Sequence, residues 1–344
     1  MVETSIMNDL KTVLKEYDLE VYSIRTESYK GKKGVWWVHT PDGYKILKKQ
    51  AYADTTLKFI ISAMEHLMNN GMHMPKIIKN KTGDKYALLD KTAYIVSEAI
   101  DGRTLDYSTD ENIKRIVAEL GNFHKASVGF KPPQSCKVRT HLGKWPEKYK
   151  KEVDKLKGYY DIERNNKNHS AFGEEILREF PYFYKRMIDA MKGFDGEDYH
   201  QWVKEVEELG GLCHQDFTAG NLLFTDKDEI YVLDPDSITI DIPLRDIRKI
   251  LNKIMKRKKK WDLALVKDIL KWYQIKNPLK KEQWRVLNPT LTYPHLFAGI
   301  MGKYYEKREK TWTEKKYLSR LKEMIQMDKS QEIIIENFDE ILPL

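Results

Sequence analysis

Three residues of this chain have the types and the spacing to move a phosphoryl group. The stretch His214-Gln215-Asp216-Phe217-Thr218-Ala219-Gly220-Asn221 is followed by Val232-Leu233-Asp234-Pro235-Asp236. A carboxylate at Asp216, held on a loop, can hydrogen-bond a substrate hydroxyl and take its proton. Asn221 and Asp234 offer one neutral and one charged oxygen, hard donors suited to Mg2+. Phosphoryl transfer from ATP needs little beyond such positioning and charge neutralisation. Asp216 is therefore expected as the catalytic residue, Asn221 and Asp234 as metal ligands, and ATP and Mg2+ as cofactors. Asp and Asn are common in turns, but here strands separate the members of the set. Leu222-Leu223-Phe224 and Ile230-Tyr231-Val232-Leu233 predict two short strands joined by Thr225-Asp226-Lys227-Asp228. Such a hairpin carries Asn221 and Asp234 to one end. His214 is expected to brace the loop rather than transfer protons. Asp246, near the start of a helix, is expected to support the loop through backbone hydrogen bonds. Asp236 reads either as a group behind the metal ligands or as a turn residue after Pro235.

A nucleotide must also be gripped by its phosphates and its base. Tyr44-Lys45-Ile46-Leu47-Lys48 ends on the best phosphate candidate, Lys48, in the manner of a Val-Ala-Ile-Lys strand. Period-two alternation sends Lys45 and Lys49 to the other face. Glu65 lies one turn from Ile61 and Met68, where it is either the partner of Lys48 or a surface group. Backbone groups between Glu98 and Gly102, Glu98 and Ile100 among them, are expected to meet adenine. Gly31-Lys32-Lys33-Gly34 is either a phosphate-covering loop or an ordinary hairpin turn.

The elements around these residues predict an α+β chain. Val35–Thr40 and Tyr44–Lys48 read as a hairpin around the turn Pro41-Asp42-Gly43. A helix follows with Leu57, Ile60, Ile61, Met64, Leu67 and Met68 at helical spacing, stopped at Gly71. Strands are expected over Lys85–Leu89 and Ala93–Glu98. Beyond Gly102 the sequence is mostly helical, with a strong amphipathic helix through Ile113, Ile116, Val117, Leu120, Phe123 and His124. The expected division is a nucleotide-clamping lobe over 1–98. A larger lobe over 99–344 would hold the catalytic loop, the metal site and the acceptor pocket.

The net charge of +8 sits on 60 bases interspersed with 52 acids, the mark of a solvated Lys-rich surface rather than of a nucleic-acid clamp. The run Lys256-Arg257-Lys258-Lys259-Lys260 is expected at an exposed helix end or loop. Cys136 and Cys213 are the two cysteines, which suits a reducing compartment during folding. Metal-ligand spacing of Cys and His is absent, so zinc is not expected. No apolar run spans a membrane, and residues 1–17 lack the order of a signal peptide.

With these residues in place, the sequence resembles the aminoglycoside phosphotransferase and choline kinase branch of the protein-kinase-like fold. His214-x-Asp216-x-x-x-x-Asn221, Leu233-Asp234-x-Asp236 and Asp246 carry the likeness. More narrowly it resembles the CotS family of spore coat proteins, through Asn122–Phe130, Leu142–Trp145, Cys213–Phe217, Asp241–Lys249 and Tyr293–Phe297. The resemblance implies a two-lobed fold with a small antiparallel-sheet lobe and a larger, mainly helical one. It implies synthesis in the mother-cell cytoplasm during sporulation, then a place in the spore coat among other coat proteins. Two functions are compatible with it: phosphotransfer from ATP to a hydroxyl of a small molecule, or a structural coat role with little or no catalysis. In kinases of this branch the larger lobe builds the acceptor pocket. Trp284, Tyr293, Phe297, Tyr304 and Tyr305 could line it, or could be core.

Overall fold

The computed structural model describes residues 2–343, with side chains from residue 5 onward. In chain order the first elements are α1 (Val2–Leu14), β1 (Ser23–Lys30), β2 (Lys33–Thr40), β3 (Gly43–Gln50), α2 (Asp54–Asn69), β4 (Ala87–Leu89), β5 (Thr92–Glu98) and β6 (Arg103–Thr104). Helices α3 (Asp110–Ser127), α4 (Trp145–Asn165), α5 (Ala171–Phe194) and α6 (Glu197–Leu209) come next. Four short strands, β7 (Leu212–Cys213), β8 (Leu222–Phe224), β9 (Ile230–Val232) and β10 (Thr239–Ile240), precede α7 (Leu244–Lys258). Further helices occupy most of Leu263 to Ile341. No helix of the described residues is long and apolar enough to cross a membrane.

The chain forms two compact units that are not contiguous in sequence. The first comprises 1–105, 130–139 and 219–238; the second comprises 106–129, 140–218 and 239–344. The expected division at residue 98 thus moves to Leu105, and two later segments return to the first unit. Long-range backbone pairing explains the return. Arg103 pairs with Phe224 across β6 and β8, Val232 N donates to His73 O at 2.8 Å, and Lys137 N donates to Thr55 O at 3.0 Å. The predicted metal ligands Asn221 and Asp234 therefore belong to the first unit and Asp216 to the second.

The first unit is built on an antiparallel sheet in the order β1-β2-β3-β5-β4. Strand β2 alternates strictly: Trp36 and Val38 are buried, while Trp37 and His39 are half-buried on the other face. Trp36, Val38 and Leu47 pack with Ile6, Leu10, Val13, Leu14 and Tyr17 of α1 and the turn after it. Burying one stripe of α1 on one face of the sheet stabilises both, at roughly 25 cal/mol per Å2 of apolar surface. The opposite face meets α2 through Leu57 and Ile61 against Ala93 and Ile95. Helix α2 ends as its sequence predicts: Gly71 adopts φ +92, and Met72 N donates back to Leu67 O at 3.0 Å.

Strand β1 has no counterpart in the sequence-based expectation. Its sequence, Ser-Ile-Arg-Thr-Glu-Ser-Tyr-Lys, is almost wholly exposed at the sheet edge. It also carries a register shift between Thr26 and Ser28, so it shows no alternation to detect. Because β1 pairs Lys30 with Lys33 of β2, Gly31-Lys32 is a two-residue hairpin turn, with Gly31 at φ +61.

The second unit is mainly helical. Helix α3 begins at Thr109, whose hydroxyl accepts from Asn112 N at 3.2 Å, and buries Ile113, Ile116, Val117, Leu120, Phe123 and His124. Helix α7 buries Leu244, Ile247, Ile250, Leu251, Ile254 and Met255. The basic run forms its C-terminal turn and the two residues beyond, with Lys259 left-handed at φ +64. Cations there complement the helix dipole.

Candidate active site

In the first unit, β8 and β9 pair Leu222 with Val232, and Leu233 N donates to Asn221 O at 2.8 Å. The hairpin therefore carries Asn221 and Asp234 to one end. Asp234 is left-handed, at φ +52 and ψ +60, a conformation that Asp tolerates better than most residues. Pro235, at the first position of a short 3-10 turn, suits its fixed φ.

The face of the sheet opposite the α1 core lines a cavity of about 670 Å3. Val35, Ile46, Ile95, Leu223 and Leu233 supply apolar wall, and Lys48, Asp234 and Asp236 lie among its polar lining. Lys48 reaches it by alternation: its neighbour Leu47 is buried in the core, while Lys48 pairs across the strands with Val35 and Ile95. Lys48 Nζ lies 3.3 Å from Asp234 Oδ1. Lys49 faces the other way, over the rings of Tyr29 and Tyr94. Glu98 and Ile100 also line the cavity. Glu98 N is used, donating to Lys76 O at 2.9 Å. Ile100, outside any strand, has neither backbone group bonded within the described residues, so both can serve a ligand.

Two contacts depart from the sequence-based expectation. Glu65 does not pair with Lys48; it pairs with Lys85, while Lys48 lies against Asp234. Asp236 is held from two sides. Lys33 Nζ lies 3.2 Å from its carboxylate, and Arg139 donates to its carbonyl. The lysine of the β1–β2 hairpin thus meets the acidic loop, a pairing across some 200 residues that no local pattern announces.

In the second unit, β7 and β10 pair Cys213 with Thr239 and deliver the chain to His214. His214 N and Gln215 N donate to the two carboxylate oxygens of Asp246, at 2.6 and 2.9 Å. His124 Nε2 approaches the same carboxylate at 3.4 Å. Burial works to raise the Asp246 carboxyl, but His124 and the other cations around it hold it below the usual carboxylate value. Gln215 is left-handed at φ +71 and pinned by its side chain. Its Nε2 donates to Thr239 Oγ1 at 2.7 Å, and its Oε1 accepts from Arg245 and Lys249. Asp216 N donates to His214 Nδ1 at 3.3 Å. That nitrogen therefore carries a lone pair, not a proton. With His214 and Phe217 buried on either side, Asp216 is turned outward, exposed.

Asp216 borders a second pocket of about 350 Å3, whose far wall is α7: Arg248, Lys249, Asn252, Lys253 and Lys256, with Leu296. These residues recur at helical spacing opposite the buried stripe of α7, a pattern present in the sequence. Burial pushes the Lys249 ammonium down to about 8, opposed by Asp246 and reinforced by Arg245 and Arg248. Of the aromatic residues that could line an acceptor pocket, Trp284, Tyr293 and Phe297 are buried core. Tyr304 and Tyr305 line a separate cavity of about 650 Å3 with Trp312 and Tyr317; there Tyr304 stacks on Phe172 at 3.7 Å, and Tyr305 donates to Glu163 at 2.8 Å.

Comparison with known proteins agrees with this architecture. The family model described as "Spore coat putative kinase YutH" matches residues 11–338. Spore coat protein S of Bacillus subtilis (strain 168) is 31% identical over 329 residues, covering 96% of this chain and 93% of that protein. Among solved structures, an aminoglycoside phosphotransferase from Alicyclobacillus acidocaldarius superposes with a TM-score of 0.80 at 15% identity, covering 96% of this chain and 95% of the other. A spectinomycin phosphotransferase in complex with ADP and spectinomycin superposes with a TM-score of 0.62 at 13% identity, covering 95% and 98%. The fold is the α+β fold of these phosphotransferases.

Proposed function

The chain belongs to the spore coat family of YutH-like kinase homologues, and on that premise we propose that it is a coat-associated phosphotransferase. It would move a phosphoryl group from ATP to a hydroxyl of a small molecule. One observation carries the proposal: Lys48 and Asp234 meet in an apolar cavity of nucleotide size, beside the unbonded backbone of Ile100. ATP and Mg2+ suit these residues. The apolar wall and Ile100 take the base, Lys48 the phosphates, and the oxygens of Asn221 and Asp234 the metal. Bound Mg2+ neutralises phosphate charge during transfer. Asp216 then orients the acceptor hydroxyl and accepts its proton. Asp246 and His214 hold the loop so that Asp216 points outward. Asn221 is only the fifth residue after Asp216, so the chain keeps them within about 18 Å.

Isothermal titration of ATP with Mg2+ tests the reading. Wild type should bind, and Asp234→Ala should bind much more weakly. Absence of binding to wild type would sink it.

A structural coat role is the second reading. The Glu65–Lys85 pair and the plain two-residue turn at Gly31-Lys32 favour it, since neither clamps a nucleotide. Spores carrying Asp216→Ala decide between the two. If their coats match wild type while deletion disrupts the coat, the structural role is the one that matters.

A further inference from the structure

Aminoglycosides are amino sugars, cationic at neutral pH, and an acceptor site for them calls for carboxylates. The pocket beside Asp216 has the opposite character. Asp216 is the only acid among the described residues of its lining, against Arg248, Lys249, Lys253 and Lys256. All four cations come from one face of α7, within nine residues.

These cations are also largely uncommitted. Lys249 donates to the carbonyl and side-chain oxygens of Gln215. Arg248, Lys253 and Lys256 make neither a hydrogen bond nor a close ion pair within the described residues. For Lys253, which is exposed, this is ordinary surface behaviour. Arg248 is half-buried. Burial holds its guanidinium below its ordinary value, partly offset by Tyr149, Asp246 and Glu152, none of which it hydrogen-bonds within the described residues. A guanidinium presents five donors in a fixed fork. Asp246 is already taken by two backbone N–H groups and His124. Arg248 lines the pocket, so its open donors are available to whatever enters.

We propose that this pocket binds an anion, and that the phosphate acceptor is a small hydroxyl compound already bearing a phosphate or carboxylate group. Arg248 takes that group bidentately, Lys253 and Lys256 add charge at the pocket mouth, and Asp216 meets the hydroxyl. The acceptor part of this inference rests on the phosphotransferase reading above; the anion pocket does not. The transfer itself balances simply. The acceptor oxygen forms the new O–P bond, the bond from the γ-phosphorus to the bridging oxygen breaks, ADP leaves, and Asp216 receives the hydroxyl proton.

Two measurements test it. Inorganic phosphate is titrated calorimetrically, without nucleotide, into wild type, Lys253→Glu and Lys48→Ala. Wild type should bind saturably, and Lys253→Glu should bind about tenfold more weakly or worse, the scale of one charge-assisted contact. Lys48→Ala should match wild type. No saturable binding at millimolar phosphate overturns the anion pocket. So does a loss confined to Lys48→Ala, which would put the phosphate at the nucleotide end. ADP release is then measured with anionic acceptors (glucose 6-phosphate, glucuronate), a neutral one (glucose) and a cationic one (glucosamine). Stimulation by the anionic compounds over the neutral and cationic ones supports the acceptor class; preference for glucosamine, or for none, overturns it. If ATP with Mg2+ fails to bind while phosphate binds, the phosphotransferase reading fails and the anion pocket stands.

Discussion

Replacing Asp246 by Ala should loosen the Asp216 loop from behind. The carboxylate accepts from His214 N at 2.6 Å and Gln215 N at 2.9 Å, with His124 Nε2 at 3.4 Å. Alanine leaves both backbone donors buried and unmet, at about 1–3 kcal/mol each. It also strips His124 of its anion. The expected cost is roughly 3–5 kcal/mol, the range for breaking a buried charged contact by removing one side. Asp246→Asn keeps one acceptor oxygen but turns an amide N–H2 toward the second donor, so about half the cost should remain. Hydrogen-exchange mass spectrometry over residues 212–218 reads this locally. A loss of about 3 kcal/mol speeds exchange by roughly two orders of magnitude. The effect of pH has a definite sign. The folded carboxyl lies below its ordinary value of 3.8, so the stabilisation is complete above that value. It is lost as pH falls through the folded value. The gap between wild type and Asp246→Asn should close in that acidic window. Unchanged exchange in Asp246→Ala at neutral pH would refute the bracing role.

Other changes should separate the parts of the two sites. In Gly102→Ala the new Cβ would sit 2.9 Å from Phe224 O, so the strand pairing must shift. A stability loss of about 1–3 kcal/mol and weaker ATP binding by calorimetry are expected. Glu65→Ala should leave ATP affinity within about twofold and cost under about 1 kcal/mol, because the Lys85 pair is partly exposed. A tenfold loss of affinity would show that Glu65 serves Lys48 after all. Phosphate affinity at the Asp216 pocket should fall as pH rises through about 8, where Lys249 loses its proton. Arg245, Arg248, Asp246 and Cys213 bear on that proton and stay in place in Lys249→Arg, which should flatten the profile. A profile unchanged by that substitution would assign the pH dependence elsewhere.

Much of this fold is legible in the sequence. Strong local periodicity carries β2, β3, α2 and α3, and the short strands around Thr225–Asp228 are readable because apolar triplets bracket a polar turn. The features that leave no such trace share a cause. Strand β1 offers only Ile24 and Tyr29 to the core, with a register shift between them, so pairing rather than pattern makes it a strand. The return of 130–139 and 219–238 to the first unit depends on backbone bonds between distant segments, which have no period. Glu65 sits at the helical position that a lysine partner requires, but which lysine it meets is decided by side-chain reach in three dimensions. The basic wall of α7 is present as spacing. Without a cavity in front of it, a row of lysines is indistinguishable from an ordinary solvated face.

The acidic loop of the first unit is neutralised from within: Lys48 answers Asp234 and Lys33 answers Asp236. On the phosphotransferase reading proposed above, this sets an order of arrival. A bare magnesium ion approaching Asp234 would compete with an ammonium already in place, and gain little. Nucleotide phosphates would instead draw the lysines onto themselves and release the carboxylates in the same movement. Metal and nucleotide should therefore load as a strongly cooperative pair, with magnesium alone held weakly and each raising the affinity for the other by the same factor.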